Sequence, residues 1–345
     1  MSANAAAPSA QAPRCLVTGA SGFVGAALCR HLLARGWTVH ALAHRHPERV
    51  PTGCASLTRA DLLTDDGWRA RLDQVDCVVH SAGHAHSAWD GSAAQRERII
   101  AANVRPCAAL GREAFRRGLH VVLISSASVF GEASAQALTP DSPLRPAGPY
   151  AESKWLAEHA LRKAAEPLGG RWTIIRPPLV YGPGVRANFL RLMRWIDRGW
   201  PLPLGAVNNR RSLIGVDNLA DLIGTVLLDG TAQQRVLLPA DSHWSTPALV
   251  RALARALDRP ARLIAVPEGA LRVAAAIASR LGASRLAAPL HTLTRSLALH
   301  DAWLADALGW QAPLSPAEGL QATADWFRQT GGAEGRHTAT RSGGT

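Results

Sequence analysis

The stretch that most constrains this chain is Arg14-Cys15-Leu16-Val17-Thr18-Gly19-Ala20-Ser21-Gly22-Phe23-Val24-Gly25. A short apolar run enters a turn with glycine at every third position, and a helical pattern continues through Ala34. Strand, glycine turn and helix in immediate succession open a dinucleotide-binding βαβ unit. Gly19, Gly22 and Gly25 let the backbone approach a pyrophosphate. Ser21, Phe23 and Val24 complete the turn and the start of the helix, whose N-terminus favours phosphate charge. The spacing is Gly-x-x-Gly-x-x-Gly, not the Gly-x-Gly-x-x-Gly of ordinary dehydrogenases.

Beyond this unit strands and helices alternate, so the expected fold is α/β, a Rossmann-type doubly wound parallel sheet. A second strand spans 38–42. An acid after it would hold a ribose 2′-hydroxyl, but Ala43-His44-Arg45-His46 stands there instead. His44 or Arg45 could meet a 2′-phosphate. Asp61, with Leu62 beside it, is placed to accept a bond from an adenine amine. Cys77-Val78-Val79-His80 is a further strand, and the small residues Ser81-Ala82-Gly83 let a loop close over the cofactor. His80, His84 and His86 lack a carboxylate or fourth ligand at suitable spacing, so no metal site is read there. His86 is kept as a substrate contact. Asn103, on the next helix, could fix backbone or water near the site. The strongly apolar strand Val121-Val122-Leu123-Ile124 ends in Ser125-Ser126, and C-terminal strand ends form the ligand crevice of such sheets. A hydroxyl at Ser126 could bond a reacting oxygen. After Trp172-Thr173-Ile174-Ile175-Arg176, the segment from Pro177 to Gly184 reads as a rigid loop over the nicotinamide end. Helices are expected at 187–197, 217–228, 246–257, 269–281 and 298–308, with a short strand at 210–214.

The chemistry centres on Pro149-Tyr150-Ala151-Glu152-Ser153-Lys154, the start of a helix in which Tyr150 and Lys154 share a face. A nearby ammonium stabilises phenolate over phenol, which lowers a tyrosine towards working pH and suits it to proton transfer. Composition sharpens the signal. The chain holds two tyrosines, Tyr150 and Tyr181, and two lysines, Lys154 and Lys163. Arginine carries nearly all other positive charge, so a lysine here marks a need for a compact ammonium.

The 345 residues suffice for two coupled lobes: 14–180 for the nucleotide fold, with some later elements returning to it, and 181–330 for a smaller C-terminal substrate-binding lobe. Residues 1–13 read as a disordered leader without signal-peptide features, and 331–345 as a disordered tail. No apolar run reaches the length of a membrane span. Five unspaced cysteines suit reduced thiols and a cytoplasmic setting. The formal net charge of +12 makes nucleic acid a natural first guess, but the arginines are scattered and no basic stripe interleaves with aromatics. Phosphate-bearing small molecules and an anionic membrane surface suit that charge equally.

Together, Thr18-Gly19-Ala20-Ser21-Gly22-Phe23-Val24-Gly25, Ser126 before Gly131, and Tyr150-x-x-x-Lys154 resemble the extended short-chain dehydrogenases of the NAD-dependent epimerase/dehydratase family, which act on nucleotide sugars. The likeness covers about 14–326. The block from Arg176 to Gly184, with Ala187-Asn188-Phe189-Leu190, looks like a subgroup named UDP-glucose 4-epimerase-like or as the 4-keto reductase making UDP-N-acetylquinovosamine. The resemblance implies Tyr150 as acid/base, Lys154 lowering its pKa and binding the nicotinamide ribose, and Ser126 on the C4 oxygen. It assigns Gly19, Gly22 and Gly25 to the pyrophosphate, and Asn188 and Arg211 to the diphosphate of a UDP-sugar; a homodimer is an allowed assembly. Two departures matter. The missing acid after the second strand favours NADP(H), with NAD(H) as the alternative. Ala127-Ser128 stand where sugar 4,6-dehydratases carry an Asp-Glu pair, which argues against dehydration.

Overall fold

β1 (Arg14–Thr18) is buried from Cys15 onward and pairs in parallel with β2 (Thr38–Ala43) and β4 (Cys77–His80). β2 pairs in parallel with β3 (Ser56–Arg59), and β4 with β5 (His120–Ile124). β4 and β5 are buried along their whole length, which is why they read as continuous apolar runs and not as alternating ones. With β6 (Trp172–Ile175) and β9 (Arg235–Leu237), they form a seven-stranded sheet in the order β3-β2-β1-β4-β5-β6-β9. Its first six positions follow the dinucleotide-binding order, with a switch point beside β1. The helices that flank it include α1 (Phe23–Ala34), α2 (Ala93–Arg116) and α3 (Gly148–Ala165). This computed structural model describes residues 12–83, 91–267, 269–271, 273 and 293–331.

The chain divides into two compact units. The first comprises the described parts of Met1–Ile124, Ser153–Ile174 and Ile223–Arg235; the second, those of Ser125–Glu152, Ile175–Leu222 and Val236–Thr345. Ser125–Glu152 belongs to the second unit because Ala127, Val129, Phe130 and Leu138 bury themselves against Leu238, Leu297 and Leu299.

The second unit contains a three-stranded sheet, β10-β8-β7, built from β7 (Leu179–Tyr181), β8 (Arg211–Gly215) and β10 (Ser242–Trp244). It also holds α4 (Ala187–Asp197), α6 (Thr246–Ala256) and α8 (Pro316–Gln329), while α5 (Val216–Leu228) is shared between the units. Two readings need correction. Leu179–Tyr181 lies in the segment expected to be a rigid loop, yet it pairs in parallel with β8. The helix expected at 298–308 is reduced to α7 (Ala302–Asp306), because Leu297 and Leu299 bridge Arg211 and Leu138 as extended chain. Most of the helix expected at 269–281 lies outside the described residues. Among the described residues, no helix is long and apolar enough to cross a membrane.

Two strand histidines are buried as neutral rings. His80 Nδ1 lies 2.7 Å from Thr18 Oγ1, and His120 Nε2 lies 2.9 Å from Thr173 Oγ1. Burial drives both below the ordinary histidine range, His80 to about 3 and His120 to about 4, with Lys154 and Arg171 respectively adding repulsion. Above their unfolded value of about 6.5 both states are neutral and their stabilising contribution is complete. As pH falls below that value, the unfolded chain takes protons that the folded chain refuses, so stability drops by up to about 1.4 kcal/mol per pH unit for each ring. We expect the urea midpoint to be lower at pH 5.5 than at pH 7.5, and His120→Gln to flatten the dependence. Equal midpoints at the two pH values would refute the assignment.

Candidate active site

In the first unit, the turn after β1 packs so closely against Ser81 and Ala82 that two of its glycines leave no room for a side chain. Gly19 adopts φ +70°, and a Cβ there would stand 2.6 Å from Ala82 N. A Cβ on Gly25 would collide with Gly19 O and come within 2.7 Å of Ser81 Oγ. Gly22 caps α1 without a side chain, and no acid occupies the first turn, where Phe23 and Val24 begin the helix. The helix start is therefore free of negative charge that would compete with a phosphate. Ser81 Oγ donates to Thr18 O at 2.7 Å, which ties the Ser81-Ala82-Gly83 segment to the end of β1.

The Ser21 hydroxyl donates to Arg45 O at 2.7 Å and so fastens the loop after β2 to the glycine turn. His44, Arg45 and His46 are exposed. His44 Nε2 lies 4.0 Å from Asp61 Oδ2, so His44 faces an acid. Asp61 Oδ1 accepts from Leu63 N at 2.8 Å, which turns the chain after β3, and Leu62 is buried. No described carboxylate forms an ion pair with Arg45.

Lys154 is 6% exposed, and its ammonium donates to Ile124 O, the last carbonyl of β5, at 2.8 Å. Burial lowers its pKa, while Cys107 and Glu158 raise it. A Cβ on Gly83 would stand 3.1 Å from Lys154 Nζ and 3.3 Å from Asn103 Oδ1. Asn103 Nδ2 donates to Ser153 Oγ at 2.7 Å, locking α2 to α3 one residue before Lys154. Ser153 had no signal of its own in the sequence.

In the second unit, Ser126 caps the one-turn 3₁₀ helix Ala127–Phe130. Its hydroxyl accepts from Ser128 N at 3.1 Å and from Ser128 Oγ at 2.9 Å, and it shares a hydrogen bond with Tyr150. Burial raises the Tyr150 phenol and the Ser126 bond lowers it. The lowering by Lys154 expected from helix spacing is not among these causes; Lys154 points its ammonium at the Ile124 carbonyl. Pro177 is buried, and its carbonyl accepts from Ala127 N at 2.9 Å, so it holds the Ser126 turn. Arg176 stacks over Phe130 with its guanidinium carbon 4.9 Å from the ring centre.

A pocket in the same unit is lined by Asn188, Phe189, Arg211, Trp244, Leu249 and Leu293, among others. The walls are apolar apart from a few groups, among them Asn188 from the first turn of α4 and Arg211 from the start of β8. Arg211 Nη1 donates to Arg295 O at 2.9 Å, and burial lowers its pKa. Asn209 Nδ2 reaches Thr246 Oγ1, Leu293 O and Arg295 O at 3.1, 3.0 and 3.0 Å, a buried knot that pins the pocket wall. Trp244, Leu249 and Leu293 were missed because their partners lie far along the chain. His86 lies outside the described residues.

The chain matches the model of the NAD dependent epimerase/dehydratase family over residues 15–237. It belongs to that family. It is 33% identical over 320 residues to a UDP-glucose 4-epimerase of Vibrio cholerae, covering 91% of this chain and 95% of the relative. A dTDP-glucose 4,6-dehydratase of Mycobacterium tuberculosis is 26% identical, covering 91% and 93%. Among solved structures, a UDP-glucose 4-epimerase of Thermus thermophilus in complex with NAD superposes with a TM-score of 0.72 at 23% identity, covering 91% of this chain and 99% of that one. This family member is thus an enzyme of the extended short-chain dehydrogenase class, and its nucleotide half has the fold read from the glycine turn.

Proposed function

We propose that this enzyme moves a hydride to or from C4 of a UDP-hexose, and that its net reaction is reduction of a 4-keto sugar with NADPH. The observation that carries the reading is the Ser126–Tyr150 hydrogen bond, made on the first turn of the helix that bears Lys154 one turn later. The glycine turn fits a dinucleotide, since the turn packs too closely for a Cβ at Gly19 or Gly25 and the start of α1 carries no acid to oppose a pyrophosphate. When bound, the nicotinamide supplies or accepts the hydride at C4. Tyr150 then gives the C4 oxygen a proton, or takes it in reverse. Burial keeps the phenol protonated, the form a reductase needs at the start of its cycle. Ser126, held by Ser128, donates to the same oxygen. Lys154 binds the ribose hydroxyls and replaces the proton Tyr150 has lost. Gly22, Phe23 and Val24 present the start of α1 to the pyrophosphate, while Ser81, Ala82, Gly83, Asn103 and Pro177 shape the nicotinamide side. Asp61 and Leu62 border the adenine, and Asn188 and Arg211 take the UDP diphosphate in the apolar pocket. Ala127 and Ser128 in place of an acidic pair speak against dehydration.

The cofactor choice rests on Arg45, whose backbone Ser21 fixes beside the glycine turn. One charge-assisted contact contributes about 1.5–3 kcal/mol, roughly ten- to a hundredfold in affinity. NADPH should bind at least ~10-fold more tightly than NADH, and Arg45→Ala should remove most of that margin. A dissociation-constant series for both cofactors tests this. An unchanged ratio in Arg45→Ala would exclude the contact.

The Vibrio relative's name favours a second reading, an epimerase that retains NAD⁺ so that the same hydride returns to the sugar. The deciding assay supplies purified protein with NADPH and UDP-4-keto-6-deoxy-N-acetylglucosamine and follows nicotinamide absorbance. Oxidation of NADPH in step with substrate supports the reductase. NAD⁺ copurifying with the protein, with UDP-glucose or UDP-N-acetylglucosamine converted to its C4 epimer without added cofactor, would replace the reductase with the epimerase.

A further inference from the structure

The end of α4 turns a large apolar side chain outward. The buried face of this helix is Phe189, Leu192, Met193 and Ile196. Arg198 closes it, and Gly199 adopts a left-handed φ of +66°. Gly199 N donates to Ile196 O at 2.9 Å and Trp200 N to Trp195 O at 3.1 Å, the paired bonds of a glycine-terminated helix. An apolar residue at the second place past such an end commonly packs back on the helix. Trp200 does so only in part, for it is 49% exposed. The chain runs on through exposed Pro201 to Leu202, which is clamped to a second segment. Leu202 N donates to Arg262 O at 2.8 Å, Ile264 N to Leu202 O at 2.9 Å and Gly205 N to Ile264 O at 2.9 Å. That segment places Ile264, 50% exposed, and Ala265, also exposed, beside the Trp200 loop. Cations frame this apolar surface. The Arg198 guanidinium carbon lies 5.4 Å from the centre of the Trp200 ring. The Arg262 guanidinium carbon lies 3.8 Å from where a Cβ on Gly199 would stand. Both arginines are exposed, and neither forms an ion pair with a described carboxylate. Asp197, the acid next to Arg198 in sequence, is taken by Arg259 at 3.1 Å.

We propose that this surface, Trp200 and Ile264 framed by Arg198 and Arg262, docks the enzyme on an anionic phospholipid bilayer. An indole is apolar in its body and polar at its N–H, which suits the boundary between acyl chains and headgroups. An arginine lays its stem along apolar surface and keeps its charge among the phosphates. The Ile264 and Pro201 side chains offer no hydrogen bond, so they suit acyl chains and have nothing to read on a base edge or an acidic peptide. The formal net charge of +12 draws the chain towards a negative surface, and the apolar side chains hold it there. The contact is peripheral, made by a helix end and two clamped segments. Trp200, Ile264, Arg198 and Arg262 take no part in the catalytic site or the Asn188 pocket, so docking and turnover are separable.

The test sediments the full chain with vesicles of phosphatidylcholine alone or mixed with phosphatidylglycerol. We expect binding to the mixed vesicles, release at high salt, and little binding to phosphatidylcholine alone. Each arginine at such a surface contributes about fivefold in affinity, so Arg198→Ala combined with Arg262→Ala should weaken binding roughly 25-fold. Trp200→Ala should weaken it with the charge unchanged. Leu57→Ser, at a position 49% exposed in the first unit, should bind as the parent does. All these positions are exposed, and thermal unfolding like that of the parent chain establishes that each variant is folded. No sedimentation with the mixed vesicles, equal binding to phosphatidylcholine alone, or parental affinity in the arginine or the Trp200 variant would each overturn the docking. Without vesicle binding, duplex DNA held through Trp200 and the arginines would give the surface to nucleic acid, and a dimer that Trp200→Ala dissolves would give it to a second copy of the chain.

Discussion

Replacing Tyr150 by phenylalanine is expected to lower turnover by at least ~100-fold, the scale of a positioned acid/base, with cofactor affinity nearly intact. The ring is kept, so the packing at the start of α3 survives. What goes is the hydroxyl, and with it the hydrogen bond to Ser126. Ser126 retains the two bonds from Ser128 and should hold its position. A crystal or nuclear magnetic resonance probe of the variant should therefore show an undisturbed Ser126 turn alongside the lost rate. Turnover near that of the parent enzyme would remove Tyr150 from the chemistry and require another proton donor. The two-tyrosine composition leaves Tyr181 as the alternative phenol, but Tyr181 is 1% exposed and stacked on Phe189, so it has no access to a substrate oxygen.

Lys154→Arg is expected to lose activity on a similar scale, ~100-fold or more in kcat/KM, although the charge is conserved. The ammonium is buried, donates to Ile124 O at 2.8 Å, and has Gly83 packed beside it. A guanidinium is planar and wider, so it cannot occupy that space while keeping the bond to the β5 carbonyl. The displaced cation is then lost from the position that its proposed ribose role requires. Thermal unfolding of the variant, read beside its kinetics, separates a misplaced cation from a damaged core. Full activity in Lys154→Arg would show that any cation suffices and would withdraw the ribose role. Gly83→Ala offers an independent check, since its Cβ would press on Lys154 Nζ and Asn103 Oδ1 and should lower activity without touching a charged group elsewhere.

The parts of the molecule legible in the sequence are those decided over a few residues. The run from Arg14 to Gly25 could fold only as strand, turn and helix, because its burial pattern, its glycines and its helix start all lie within one short stretch. Tyr150 and Lys154 share a helix face by spacing alone, and Ala187–Asp197 was recognisable as a helix from its periodicity. Arg45 could be singled out because the absence of an acid is a local fact. Tertiary structure decided whatever depends on a distant partner. Leu179–Tyr181 is a strand only because β8, further along the chain, supplies its hydrogen bonds. Leu297 and Leu299 are extended and not helical because Arg211 and Leu138 pair with them. Trp244 and Leu293 line the pocket of Asn188 and Arg211, and Leu293 is held there by Asn209, which no spacing reveals. The bond from the Ser21 hydroxyl to Arg45 O joins two loops that lie 24 residues apart. Turn and helix preferences are short-range energies written in consecutive residues, whereas a sheet edge or a pocket wall is stabilised by contacts that exist only once the chain has closed on itself.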